Sequence, residues 1–270
     1  MRSIVAHVRG NAIAYLALFV ALGGSAWALE ANSVGTRQLK NNAVKTKKIA
    51  NNAVTAPKLA CRGNGTQDRM VRAGAVCIDK YEASVWSEPN GGVQYGDSSD
   101  DYPCSDNGQN CDDIYARSIS GVTPSRFITW FQAQQALANS GKRLPYNAEW
   151  QQAIAGTPES TACNVNTGSV QNTGANPGCI SNHGTNDMVG NLWEWAADWD
   201  EEGSNCSTWP ADFGSDLTCI GRASGEASTH FPGAPSRGGS WGTSTIAGPF
   251  AVQSIRPSVS TSFVGFRGAR

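Results

Sequence analysis

The densest chemistry in this 270-residue chain lies at residues 187–199, DMVGNLWEWAADW, where three of the nine tryptophans stand among the carboxylates Asp187, Glu194 and Asp198. Calcium takes about six to eight oxygen ligands from carboxylates and carbonyls gathered in one flexible cluster. Asp187 and Glu194 bracket a glycine turn whose carbonyls can point inward, so one short segment offers several hard ligands. The alternative is that Asp187 caps the turn and Glu194 faces water, because carboxylates are seldom buried. Other chemistries find less support. The eight cysteines contain no CxxC pair, which argues against a zinc knuckle or a thioredoxin-type site. His7, His183 and His230 are too scattered to supply the two imidazoles of a facial triad. Ser240 follows no base at a spacing that would activate it as a nucleophile.

These residues need elements to hold them. From Trp193 onward the apolar residues alternate, with Trp193, Trp195, Ala197 and Trp199 on one side and Glu194, Asp198 and Asp200 on the other, which predicts a half-buried strand. Residues 130–139 predict a helix, with Thr129 as cap, Trp130, Ala133 and Leu137 on one face and Gly141 as terminator. A second helix is expected through Trp150 to Ala155, with Asn147 as its N-cap and Glu149 in the favourable first turn. Residues 73–85 read as a strand, and 87–113 as a polar loop pinned by Cys104 and Cys111.

The net charge of -1 hides two different materials. Residues 1–60 carry eight Lys or Arg against one acid, net +7, and residues 61–270 carry thirteen against twenty-one, net -8. An acidic body argues against nucleic acid as partner. At the start, a short basic stretch, the apolar run from Ala12 to Leu22 and the small-x-small site Ala26-Trp27-Ala28 have the layout of a secretory signal over residues 1–28. An uncleaved membrane anchor is the other reading. Residues 29–60 form a stalk or linker of ten-residue repeats, in which Val34, Leu39, Val44, Ile49, Val54 and Leu59 recur every five residues. Its lysines would favour anionic cell-wall polymers. Residues 61–270 make the folded domain, expected outside the cell or on its surface. There its eight cysteines are expected as disulfides, paired in sequence because each successive pair closes a short loop.

Taken with KRLPYNAEW upstream, and with RGGSW at Arg237–Trp241 and Gly265-Phe266-Arg267 downstream, the 187–199 motif resembles the sulfatase-modifying-factor family, relatives of formylglycine-generating enzyme. That resemblance implies an α+β, loop-rich, C-type-lectin-like fold. It also implies a structural calcium, held by the side chains of Asp187 and Glu194 and the carbonyls of Gly190 and Leu192. Formylglycine-generating enzymes hold copper with two cysteines just past the RGGS motif, and the matching positions here are Thr243 and Gly248. Neither is a soft thiolate ligand, so copper is not expected. The frame of the terminal segment resembles the ligand-binding segment of retroelement-diversified C-type-lectin-fold proteins. On that likeness Trp241, Thr243, Thr245, Phe250, Gln253, Ser254, Arg256 and Ser258 would line a binding face for a surface polysaccharide or protein. The expected function is therefore an exported, calcium-stabilised, non-catalytic binding or display domain. The alternative is a formylglycine-generating oxidase that converts a protein cysteine through an atypical metal site.

Overall fold

The computed structural model describes residues 11–14, 61–63, 65, 67–159, 161–203, 206–220 and 232–270. The chain divides into two compact units, Met1–Thr55 and Ala56–Arg270. The signal or anchor and the repeat stalk lie outside the described residues, apart from a helical turn at residues 12–14. Everything below concerns the second unit.

Its first strands are short. β1 (Met70–Ala73) and β2 (Val76–Asp79) form an antiparallel hairpin, and β3 (Ala83–Glu88) pairs antiparallel with β4 (Gly91–Tyr95) and β5 (Tyr115–Ser118). The single strand expected over 73–85 is thus broken twice, by the turn at Gly74-Ala75 and again at residues 80–82, before Glu82 turns inward, fully buried. The loop that follows is pinned as expected by Cys104–Cys111.

α1 (Trp130–Asn139) has the predicted bounds. The Thr129 hydroxyl accepts from the Gln132 N–H, and the Gln132 side chain returns the bond to the Thr129 N–H, so two otherwise orphaned donors are satisfied at once. Ala133, Ala136 and Leu137 face the core, while the Trp130 indole donates to the Ala196 carbonyl and ties the helix to the sheet. α2 (Asn147–Ala153) is shorter than expected, and Asn147 is its first residue rather than its cap. Tyr146 takes the cap position, where its N–H donates to the Glu149 carboxylate at 2.9 Å.

The main sheet runs in the order β12-β6-β10-β11-β9-β8, where β6 is Trp193–Trp195, β8 Cys206–Thr208, β9 Leu217–Cys219, β10 Pro232–Arg237, β11 Val252–Ile255 and β12 Val264–Gly265. A small β7 (Asp200–Glu201) joins β10 off this path. The half-buried strand expected from Trp193 to Trp199 is corrected here. β6 is only three residues long, Glu194 is 1% exposed, and Trp199, expected inside, is 47% exposed. The alternation failed because Glu194 is drawn inward by an internal cation while Trp199 rests edge-on against Trp130 and Phe131 at the surface.

One core gathers Val85, Ile114, Leu137, Trp193, Trp195 and Phe266, and a second gathers Ile78, Trp150, Ile154, Met188 and Val189. Disulfides Cys61–Cys77, Cys104–Cys111, Cys163–Cys179 and Cys206–Cys219 follow the sequential pairing expected from loop length. In a loop-rich body such links act mainly by restricting the unfolded chain. Disulfides of this number are chemistry of oxidising compartments rather than the cytosol.

Candidate functional site

The glycine turn is built from unusual backbone. Asp187, Gly190 and Asn191 all have positive φ, at 60°, 75° and 56°. Gly190 is required as well by close approach, since a Cβ there would run into the Asn164 carbonyl. Positive φ in Asp and Asn is tolerated because their short polar side chains bond locally. Asp187 Oδ2 accepts from the Gly174 N–H at 2.6 Å. Asn191 is a hub: its side chain donates to Glu82 and accepts from the Gln171 N–H and from Asn164 Nδ2 at 2.8 Å. Glu82 also accepts the Leu192 N–H at 3.0 Å.

Glu194 lies against Arg267 in a fork-to-fork pair, Nη2 to Oε1 at 2.5 Å and Nε to Oε2 at 2.6 Å, and its Oε2 accepts the Trp150 indole N–H at 2.7 Å. Arg267 is fully buried and spends its remaining donors on the Asp79 and Asn186 carbonyls, both at 2.9 Å. One guanidinium therefore ties together β2, the glycine turn, β6 and the chain end. Three buried carboxylates, Glu82, Asp187 and Glu194, share this single cation. Burial, followed by the charges of Asp187 and Glu194, pushes Glu82 well above the ordinary carboxylate range. Burial likewise raises Asp187 to about 6, against the Gly174 N–H bond and the charge of Arg267. Burial opposes the charge on Arg267, but Glu194, then Glu82 and Asp187, hold its proton above the usual arginine value.

This arrangement tests the calcium expectation. The four donors at Asp187, Gly190, Leu192 and Glu194 are hard oxygens of the kind calcium takes. The cluster holds more carboxylates than internal cations, a deficit that a divalent ion would offset. Glu194, however, already accepts three hydrogen bonds. Among the described residues no three His, Cys, Asp or Glu side chains form a metal cage. A cation at this turn would thus depend on the two carbonyls as much as on the carboxylates.

The expected binding face is divided by the fold. An open cleft of about 370 Å³ lies beside β6, β11 and the terminal segment, lined by Trp193, Ser240, Thr243, Gln253, Thr261 and Phe263 among others. Trp241 stacks on Phe263 at 4.9 Å between ring centres, which sets an aromatic wall at its rim. Thr243 and Gln253 thus line one cleft, with Trp241 beside it. Thr245 lines a different cavity, with Val165 and Asn166. Phe250 packs with Phe213 and Trp209 in a separate aromatic cluster. Ser254 is 1% exposed and bonds Asp200, so it cannot line a surface. Arg256 is engaged by Glu202 at 3.0 Å, and Ser258 is exposed outside the cleft lining. Alternation along β11 turns Ser254 inward and Gln253 outward, the two-residue period that decides which hydroxyl is available.

The two positions matching copper ligands are occupied by other interactions. Thr243 Oγ1 accepts the Ser240 N–H at 2.8 Å and serves the turn. Gly248 is buried, and any side chain there would run into the Asp216 carboxylate. Asp216 accepts the Phe250 N–H at 2.7 Å, and burial pushes it up to about 6. Arg237 holds the segment's start through the Ala251 carbonyl at 2.6 Å and lies over the Trp150 ring, where burial lowers it to about 10. All eight cysteines are in disulfides. Sequence reasoning missed Glu82, Asn191 and Arg267 as members of the central cluster, and Trp193 and Phe263 as walls of the cleft. The Gly265-Phe266-Arg267 motif was a visible signal for one of them, but it does not say what it touches.

Residues 90–270 match the family model of the sulfatase-modifying factor enzyme 1-like domain. Hercynine oxygenase of Mycolicibacterium smegmatis is 29% identical over 100 residues, 31% of this chain and 23% of that protein. The chain thus spans less than a quarter of the length of that curated relative. Among solved structures, the P3c and U1 variants of Major Tropism Determinant each superpose with a TM-score of 0.50 at 22% identity, covering 74% of this chain and 51% of theirs. That likeness is one of fold, C-type-lectin-like and rich in sheet.

Proposed function

This chain belongs to the sulfatase-modifying factor enzyme 1-like domain family, and from that premise we propose that it is a non-catalytic member, exported and displayed at the cell surface, that binds a polysaccharide or protein in the cleft beneath Trp241 and Phe263. The observation that carries this reading is the state of the copper-matching positions. Thr243 is bonded into a turn, Gly248 has no room for a side chain, and every cysteine is oxidised. Soft-ligand copper chemistry needs thiolates at those positions. An aromatic wall beside Ser240, Thr243, Gln253 and Thr261 instead offers what a polar or sugar-like ligand uses: a flat apolar surface and directed hydrogen-bonding groups. Calcium at Asp187, Gly190, Leu192 and Glu194 serves as a structural ion, drawing the glycine turn onto the sheet that floors the cleft.

The test has two arms. The purified chain, loaded with Cu(I), is incubated with a sulfatase-type cysteine peptide and the product is read by mass spectrometry. No aldehyde is expected, and its appearance would establish the oxidase. The same protein is screened on glycan and protein arrays beside Trp241→Ala and Gln253→Ala variants. Hits are expected to vanish in both variants, and hits that persist in both would remove the cleft from the reading.

A further inference from the structure

Between the β1–β2 hairpin and the segment after β5 lies a cleft of about 590 Å³, larger than the one beside Trp241. Its floor is apolar, made by Met70 and Ile119, both less than a tenth exposed. Its charged wall carries Arg69 and Lys80, and Gln67 and Ser120 stand at the exposed rim. Tyr81 completes the lining, with the Lys80 ammonium 5.5 Å from its ring centre. The frame is rigid where it matters. The Arg69 N–H donates to the Ser118 carbonyl at 2.8 Å, the Lys80 N–H to the Arg69 carbonyl at 2.9 Å, and the Tyr81 N–H to Ser118 Oγ at 2.9 Å. The backbone is thus committed while the side chains project.

The composition of this cleft runs against that of the domain. The body carries net charge -8 (thirteen Lys or Arg against twenty-one acids in residues 61–270), and two of its buried cations, Lys142 and Arg267, are paired with carboxylates. Among the described residues neither Arg69 nor Lys80 has a carboxylate partner, and no acidic side chain lines the cleft. Two cations without a carboxylate partner in the lining of one cleft favour an anion. A long polyanion would be repelled by the acidic remainder, so the charge is expected on a small or sparsely charged molecule. The phenol ring of Tyr81 and the Met70–Ile119 floor suit the apolar face of a pyranose, and Gln67 and Ser120 can bond its hydroxyls. The volume falls within the range of about 300–1,000 Å³ usual for ligand clefts.

We propose that this cleft, distinct from the one beside Trp241, binds an acidic saccharide, with Arg69 and Lys80 holding the sugar carboxylate and Tyr81 carrying the ring. Isothermal titration of the full chain tests it with three probes: a glucuronate-terminated disaccharide, neutral cellobiose and inorganic phosphate. The uronate disaccharide is expected to bind, with affinity falling as salt is raised, and the other two to bind at least about tenfold more weakly, the size of one lost charge-assisted hydrogen bond. Arg69→Gln and Lys80→Gln should each weaken the uronate about tenfold or more, while Trp241→Ala leaves it unchanged. Among the described residues neither cationic side chain makes a hydrogen bond, so both variants should keep the near-ultraviolet circular dichroism of the parent. If Lys80→Gln fails to fold, Arg69→Glu alone carries the test. Equal binding of cellobiose would overturn the role of the two cations, and equal binding of phosphate would overturn the saccharide. Absence of uronate binding, or binding indifferent to Arg69, would overturn the site.

Discussion

Arg267→Met isolates what the central ion pair contributes. The guanidinium is fully buried and makes charge-assisted bonds at 2.5 and 2.6 Å to Glu194, which is itself 1% exposed. Methionine keeps much of the volume but leaves Glu194 and the Asp79 and Asn186 carbonyls without the donor that faced them. Removing one partner of a buried pair costs about 3–5 kcal/mol, because the remaining charge stays desolvated. Net stabilities run to about 5–15 kcal/mol, so the loss takes a large share of the total. For a domain of this size it corresponds to a fall in Tm of about 6–20 °C. Urea unfolding followed by tryptophan fluorescence, with disulfides intact, measures it directly, and Glu194→Gln with the double variant closes a thermodynamic cycle. The double variant is expected to be more stable than the sum of the two single losses predicts, since it leaves no orphaned charge. A single-variant loss below about 1 kcal/mol would refute the reasoning, because a pair that cheap to break is not desolvated.

Calcium is expected to raise the Tm of the chain and a chelator to lower it, with Asp187→Ala abolishing the response; a Tm indifferent to calcium in the parent would remove the ion from the glycine turn. Asp216 supplies a pH dependence. Its folded pKa of about 6 stands above the usual aspartate value of 3.8, so the folded state holds the proton more tightly. The stabilisation is full below about pH 4 and is lost as pH rises through 6, a change of order 1–3 kcal/mol. Burial is the main cause, the nearby Glu159 adds to it and Arg237 opposes it. Asp216→Asn keeps an acceptor for the Phe250 N–H and should flatten the stability profile between pH 4 and 7; an unchanged slope would assign the effect elsewhere. Finally, removing Cys163–Cys179 by paired alanine substitution opens a link of sequence separation 16 and should cost about 3 kcal/mol in urea unfolding. A cost near zero would mean that the surrounding loop is held by its own packing.

Much of this protein is written locally. Helix α1 was legible to the residue because its signals, Thr129, the Trp130, Ala133 and Leu137 face and Gly141, are all local to the helix and its ends. The disulfide pairing was legible because short loops cost least to close and the cysteines fall in four close pairs. The order of the family motifs carried the fold. What local signals could not supply was a partner distant in the chain. Trp193 to Trp199 reads as a half-buried strand only if nothing across the core demands Glu194, and Arg267, 73 residues away, does. Likewise the terminal segment reads as one continuous binding face, yet the alternation of β11, the aromatic cluster from the Cys206–Cys219 excursion and the Asp200–Ser254 bond divide it among several surroundings. The sequence alone determined the bounds of α1, the cysteine pairs and the family frame, whose physics is short in range along the chain. Only the tertiary structure decided which carboxylates share a cation and which side chains share a cleft, because burial and charge act through space.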